Sequence, residues 1–178
     1  HSEELVDRLE EEDIPLFLSG HLHVQHYMRD EEDRGIYEIV TSSLSTPPCQ
    51  YGVLEYRDDE SFSYHTQQVD MEKWARKHKS TDENLLNFNT YAPAALRTIF
   101  YNQSYDAMKD SEEEETGDLF VKLTQRQKEQ MSEVYAQLNA ACYGGKAYEV
   151  VKEATTTPAY KMWQEYCYPM VLFEYLEY

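Results

Sequence analysis

The sequence of 178 residues predicts an α+β fold in which strands come first and helices follow. Before Asp70, short apolar segments are bounded by glycine, proline and acidic residues, a pattern that is typical of strands and turns. After Asp70, apolar side chains recur at helical spacing with few interruptions. The net charge changes at the same point, from −13 over residues 1–70 to −5 over residues 71–178. These three observations predict a first unit over residues 1–70 and an all-helical second unit over residues 71–178.

The composition excludes several classes of protein and partner. A chain with 41% hydrophobic residues can bury a core, which argues against general disorder. Its net charge of −18 disfavours nucleic acid and acidic membrane surfaces, because both are bound through positive charge. No apolar run approaches the roughly 18 residues that a membrane-spanning helix needs. Three cysteines without a Cys-x-x-Cys spacing favour neither a disulfide framework nor a zinc ribbon, and they leave the compartment open between cytoplasm and bacterial cell surface.

The first unit is predicted to hold one helix and about four strands. Ser2 can cap a helix over residues 3–12, and Pro15 ends it. Strands are predicted over residues 14–19, 36–41, 51–57 and 62–69. The last two form a hairpin, and the segments after Gly20 and over residues 42–50 are predicted to be loops. Because so few elements cannot cover both faces of a sheet, one face is expected to stay bare without further strands.

The second unit is predicted to consist of helices alone. A short helix covers residues 71–79, and Pro93 occupies the first turn of a longer one that runs to about Met108. Thr124 and Gln127 fit a capping box, which either begins a helix or marks a kink in one that begins earlier, at residue 118. A pair of glycines ends that helix. Further helices are predicted over residues 146–153, after Pro158 and after Pro169.

The residues that point most clearly to chemistry are Ser19-Gly20-His21-Leu22-His23, at the end of the first predicted strand. Two histidines at positions i and i+2 of a loop can turn both imidazoles toward one place, and the glycine permits the sharp turn. Neutral imidazole is a good ligand for zinc, iron or manganese-type ions. An isolated pair of this kind is more often two ordinary loop residues, but the preceding strand and glycine favour a metal site. A mononuclear zinc site that adds His26 is a further alternative, although no fourth ligand is apparent.

This apolar strand followed by Gly-His-Leu-His resembles the last motif of the calcineurin-like metallophosphoesterases. Residues 36–44 and 51–56 are similar to the strands that follow it in bacterial members, and the second unit to the helical extension that some members carry. The resemblance implies a two-sheet β-sandwich, of which this chain would supply the C-terminal portion. It also implies two divalent metal ions (Mn, Fe or Zn), one bound by His21 and the other by His23. His26 would then lie near the substrate.

The other motifs that this resemblance requires are absent from the sequence. There is no Asp-x-His and no Asn-His, and the one Gly-Asp pair, Gly117-Asp118, lies among predicted helices. Two histidines cannot hold two bridged metal ions. The chain also begins with His1, so it is expected to be a processed product or a fragment. The resemblance therefore implies the C-terminal part of a hydrolase of phosphomono- or phosphodiesters, inactive alone, whose partners are a phosphoester substrate and the missing N-terminal part of the same protein.

Two alternatives concern the helical unit. It could be a non-enzymatic interaction module, because aromatic residues are enriched at interfaces and crowd its last stretch: Tyr160, Trp163, Tyr166, Tyr168, Tyr175 and Tyr178. Ordinary helix packing explains the same residues. Alternatively, the helices could cap the substrate cleft of the first unit. His65 and His78 are expected to be structural or exposed, the acidic runs to be solvated turns, and the cysteines to be free thiols.

Overall fold

The computed structural model describes residues 2–29, 35–59, 61–110 and 120–167. Seven helices and five strands within these ranges confirm the α+β class. The chain divides into two compact units, one formed by His1–Asp70 with Tyr143–Gly145 and the other by Met71–Cys142 with Lys146–Tyr178. None of the helices in the described ranges is long and apolar enough to cross a membrane.

The first unit contains one helix and five short strands. They are α1 (Ser2–Glu11), β1 (Leu16–Ser19), β2 (His26–Arg29), β3 (Tyr37–Val40), β4 (Gln50–Tyr56) and β5 (Phe62–Gln68). Helix α1 has glutamates in its first turn and Arg8 in its last, as the helix dipole favours. Arg8 forms exposed ion pairs with Glu11 at 2.7 Å and Glu12 at 2.8 Å. The helix and four of the strands lie within about two residues of their predicted positions.

Strand β3 is the centre of a three-stranded sheet with the order β1-β3-β2. It runs parallel to β1 and antiparallel to β2, so Ile39 pairs with both Leu18 and Tyr27. Ile39 is fully buried, whereas Leu18 and Tyr27 are more than half exposed. The prediction of a loop throughout the segment after Gly20 was wrong for β2, because all four of its residues are exposed and no apolar alternation marks them as a strand.

Strands β4 and β5 form an antiparallel hairpin in which Tyr56 pairs with Phe62 and Gln50 with Gln68. The hairpin was predicted from the sequence and is confirmed. The ring of Phe62 meets Tyr37 of β3 edge-on, with ring centroids 5.8 Å apart. The described residues thus form small sheets of three and two strands, and they do not confirm the larger β-sandwich that the resemblance implied.

The described part of the second unit contains helices and no strands. Its helices are α2 (Met71–Lys77), α3 (Glu83–Leu86), α4 (Phe88–Asp110), α5 (Gln125–Tyr143), α6 (Ala147–Ala154) and α7 (Pro158–Cys167). Helix α4 begins five residues before Pro93, so the prediction that this proline opens the helix was wrong. The earlier start is made at Asn87, whose carbonyl accepts from the Tyr91 amide at 2.9 Å. Asn87 directly follows the short α3, whose start is capped by the Asp82 carboxylate, which accepts from the Asn84 amide at 2.9 Å.

Helix α5 begins at the predicted capping box. The Thr124 hydroxyl accepts from the Gln127 amide at 3.3 Å, and the Gln127 side chain accepts from the Thr124 amide at 2.9 Å. Residues 120–124 are not helical, so the box starts a helix and does not mark a kink. The helix predicted after Pro169, Gly117-Asp118 and most of the acidic run at residues 110–115 lie outside the described residues.

Trp163 of α7 is at the centre of the apolar core of this unit. It is 1% exposed, its indole N–H donates to the Met131 carbonyl at 2.8 Å, and its ring lies 5.6 Å from that of Tyr135. Tyr160 is buried in the same cluster. Helix packing therefore accounts for these two aromatic residues, and the interface interpretation is not needed for them.

Candidate functional site

The histidine loop, residues 20–25, leaves the carboxyl end of β1. Because β1 and β3 are parallel, the segment after β3 begins at the same edge, where the Thr41 amide donates to the Ser19 carbonyl at 3.0 Å. His26 is the first residue of β2 and pairs with Val40 at the end of β3, so it also lies at this edge. Ligands commonly bind outside the carboxyl ends of parallel strands. The topology thus brings His21, His23 and His26 to the edge where a site is expected.

The backbone of this loop is unusual at both predicted metal-binding positions. His21 has a φ of 88° and His23 a φ of 62°, in the region that side-chain-bearing residues rarely adopt. Conformations of this kind cost about 1–3 kcal/mol each and persist only where the surrounding structure holds them. They cluster at active and ligand-binding sites. Both imidazoles are exposed, so the loop presents them to solvent instead of burying them in a core.

The hydrogen bonding of the histidines leaves ring nitrogens available. Nδ1 of His23 lies 3.5 Å from the Thr46 hydroxyl, which belongs to the segment after β3. That contact leaves Nε2 of His23 without a partner in the described part of the chain. His21 and His26 make no hydrogen bond or ion pair with the described residues. The sequence did not single out Thr46, because a threonine before Pro47-Pro48 resembles any loop residue.

The donor set limits which metal this edge can hold. Within the described ranges, no three side chains of His, Cys, Asp or Glu come close enough together to hold a metal ion. The described residues therefore do not support the mononuclear zinc site of His21, His23 and His26. Two imidazoles without carboxylates suit zinc or iron better than manganese, which prefers oxygen ligands.

His65 and His78 have local partners. Nε2 of His65 is 3.3 Å from the Gln67 amide nitrogen on the outer surface of β5. His78 stacks on Trp74 with ring centroids 4.5 Å apart, and its Nδ1 is 2.9 Å from the Trp74 carbonyl. Both residues are exposed, as the sequence predicted.

Cys49 and Cys142 are free thiols, as the sequence predicted. Burial raises the pKa of each thiol above its ordinary value.

We expect both Cys49 and Cys142 to react with iodoacetamide at pH 8 much more slowly than in the urea-unfolded chain, because less thiolate is present. Peptide mass spectrometry of a time course measures each rate separately. Equal rates in the folded and unfolded protein would contradict the burial of these side chains.

Comparison with known protein families gives a match for the second half of the chain. A family model described as the C-terminal domain of cyclic nucleotide phosphodiesterase matches residues 70–178, more than half of the sequence. The chain belongs to this family. The family description relates the chain to phosphodiesterases, which are hydrolases. No curated protein matches the chain.

This family corrects the resemblance to calcineurin-like metallophosphoesterases. That interpretation depended on an apolar strand followed by Gly-His-Leu-His and on the similarity of residues 36–44 and 51–56 to the strands that follow, and a motif with so few defined positions has low specificity. The family match instead covers the helical half, where the sequence offered no short motif. The assignment to metallophosphoesterases, and the function derived from it, were wrong. The non-enzymatic interaction module is not better supported.

Proposed function

We propose that this protein hydrolyses a phosphodiester bond of a cyclic nucleotide, and that the histidine loop takes part in binding a divalent metal ion there. The substrate class comes from the family of residues 70–178. The observation that carries the role of the loop is the positive φ of both His21 and His23 at the carboxyl edge of β1. Backbone strain at two exposed imidazoles is costly, and a bound ligand would give it a function.

In this proposal His21 and His23 supply imidazole nitrogens to a divalent metal ion, zinc or iron by preference over manganese. Thr46 would orient the His23 ring through Nδ1, as outer partners of metal-bound histidines do. His26, at the same edge, would face the substrate. A bound ion would neutralise charge on the phosphoryl oxygens and lower the pKa of a water molecule.

The charge of the first unit supports a metal in this role. Residues 1–70 carry 17 acidic and 4 basic side chains, which would repel an anionic phosphodiester. A divalent cation at the histidine loop would supply local positive charge where the substrate has to approach. Two imidazoles fall short of the three protein ligands that a catalytic zinc normally has. In the proposal the two imidazoles bind the ion, and a catalytic site requires further ligands from outside the described residues.

Hydrolysis assays on two forms of the protein test this function. The protein with any natural flanking residues is expected to hydrolyse a cyclic nucleotide in the presence of Zn²⁺ or Fe²⁺. His23→Ala should lower kcat/KM by at least roughly 100-fold, since even outer partners of metal ligands matter by 10–100-fold. His65→Ala, an exposed histidine of the same unit, should leave it unchanged.

The 178-residue chain alone is expected to show little or no turnover, because its described residues do not complete a metal site. Metal-dependent turnover by this chain at the rate of the longer protein would show that the site is complete without further ligands. Activity of the longer protein that is insensitive to both His21→Ala and His23→Ala would remove the histidine loop from the reaction.

A further inference from the structure

Gln25 connects the histidine loop to two other parts of the first unit. Its side-chain oxygen accepts from the Tyr64 hydroxyl of β5 at 3.2 Å. The same oxygen accepts from the backbone amide of Ser42 at 3.4 Å, and the Ser42 hydroxyl lies 3.5 Å from it. Ser42 is buried and Gln25 and Tyr64 are half-buried, so these bonds are partly shielded from water. One amide, two residues after His23, thus joins the loop to the segment after β3 and to the hairpin.

The position of Tyr64 depends on a glycine in the facing strand. Tyr64 pairs with Leu54, and Gly52 is the next residue on the same face of β4. A Cβ atom at Gly52 would lie 2.6 Å from both Cε2 and Oη of Tyr64, which is closer than such atoms come in proteins. Any larger residue would therefore push the phenol away. A glycine inside a strand often marks a close approach of this kind.

We infer that Gly52, Tyr64 and Gln25 are positioning residues that hold the histidine loop in the strained conformation that presents His21 and His23 to solvent. The inference rests on the proposed role of the two histidines. Both have strained φ angles, and a strained loop keeps its shape only while its neighbours hold it. Gln25 is the residue of this loop whose side chain is anchored to Tyr64 and Ser42. Loss of the Tyr64 hydroxyl should loosen the loop without removing any metal ligand.

Tyr64→Phe tests this inference against a matched control, Tyr51→Phe. Tyr51 lies on the same hairpin and its hydroxyl donates to the Gln67 side chain at 2.7 Å, so both variants remove one tyrosine–glutamine hydrogen bond. Of these two tyrosines, Tyr64 is the one whose hydroxyl bonds to Gln25. Two measurements are made on the 178-residue chain: Zn²⁺ affinity by calorimetry, and the imidazole ¹H–¹⁵N resonances of His21 and His23 without metal.

We expect Tyr64→Phe to weaken Zn²⁺ binding about tenfold and to shift the resonances of both histidines. Tyr51→Phe should change neither. Gln25→Glu, which keeps an oxygen acceptor, should retain more of the affinity than Gln25→Met. Circular dichroism on each variant confirms that the fold is intact.

The outcomes separate this inference from the proposed function. If Zn²⁺ binds through His21 and His23 but Tyr64→Phe changes neither affinity nor resonances, the positioning role is overturned and the metal site stands. If the wild-type chain does not bind Zn²⁺ at these histidines, the metal proposal fails, and the metal-free resonances alone decide the positioning role. A shift in Tyr64→Phe that is absent from Tyr51→Phe then supports it, and no shift in either variant overturns it.

Discussion

Replacing Trp163 with alanine is expected to destabilise the helical unit by about 3–5 kcal/mol. The side chain is 1% exposed, packs against Tyr135 and donates its indole N–H to the Met131 carbonyl, so the substitution leaves a cavity and removes this hydrogen bond. Urea unfolding followed by circular dichroism at 222 nm measures the loss. Trp163→Phe is the matched control. It keeps an aromatic ring in the core and loses only part of the side-chain volume, but it removes the whole hydrogen bond to the Met131 carbonyl. An alanine variant within about 1 kcal/mol of the wild type would contradict this description of the core.

Ile39→Ala is expected to have a comparable effect on the first unit, a loss of about 2–5 kcal/mol. Ile39 is fully buried in the central strand β3, where it pairs with Leu18 on one side and Tyr27 on the other. Because these strands lead into and out of the histidine loop, the variant should also raise amide hydrogen exchange over residues 16–29. Ile39→Val, which removes one methylene, should cost only about 0.5–1.5 kcal/mol. Unchanged exchange in the alanine variant would mean that β3 does not hold the neighbouring strands.

The parts of the fold with a strong local pattern could be predicted from the sequence. The hairpin β4–β5 has two extended segments around an acidic turn, and α5 begins at a capping box formed by Thr124 and Gln127. Strand β2 has no such pattern, since its four residues are all exposed and are recognisable as a strand from their pairing with β3. The four-residue helix α3 was missed because it is too short to show a helical period.

Some residues of the candidate site could likewise be predicted from the sequence, and others could not. His21 and His23 could be singled out because their residue types and spacing are informative, and their positive φ angles give them a structural peculiarity that the sequence did not predict. Gln25, Ser42 and Tyr64 could not be predicted, since their contacts join residues 17 to 39 positions apart. The one local signal was Gly52, a glycine inside a strand, which marks the place where Tyr64 crosses β4.

The account depends most on whether His21 and His23 bind a divalent metal ion, and calorimetric titration of the 178-residue chain with Zn²⁺ tests this directly. We predict saturable binding of at least one ion per chain that His21→Ala and His23→Ala each weaken by about tenfold or more, and that the double variant abolishes. His65→Ala, which removes an exposed histidine of the same unit, should bind Zn²⁺ as the wild type does. Zn²⁺ affinity that is the same in the wild type, the double variant and His65→Ala would contradict the account.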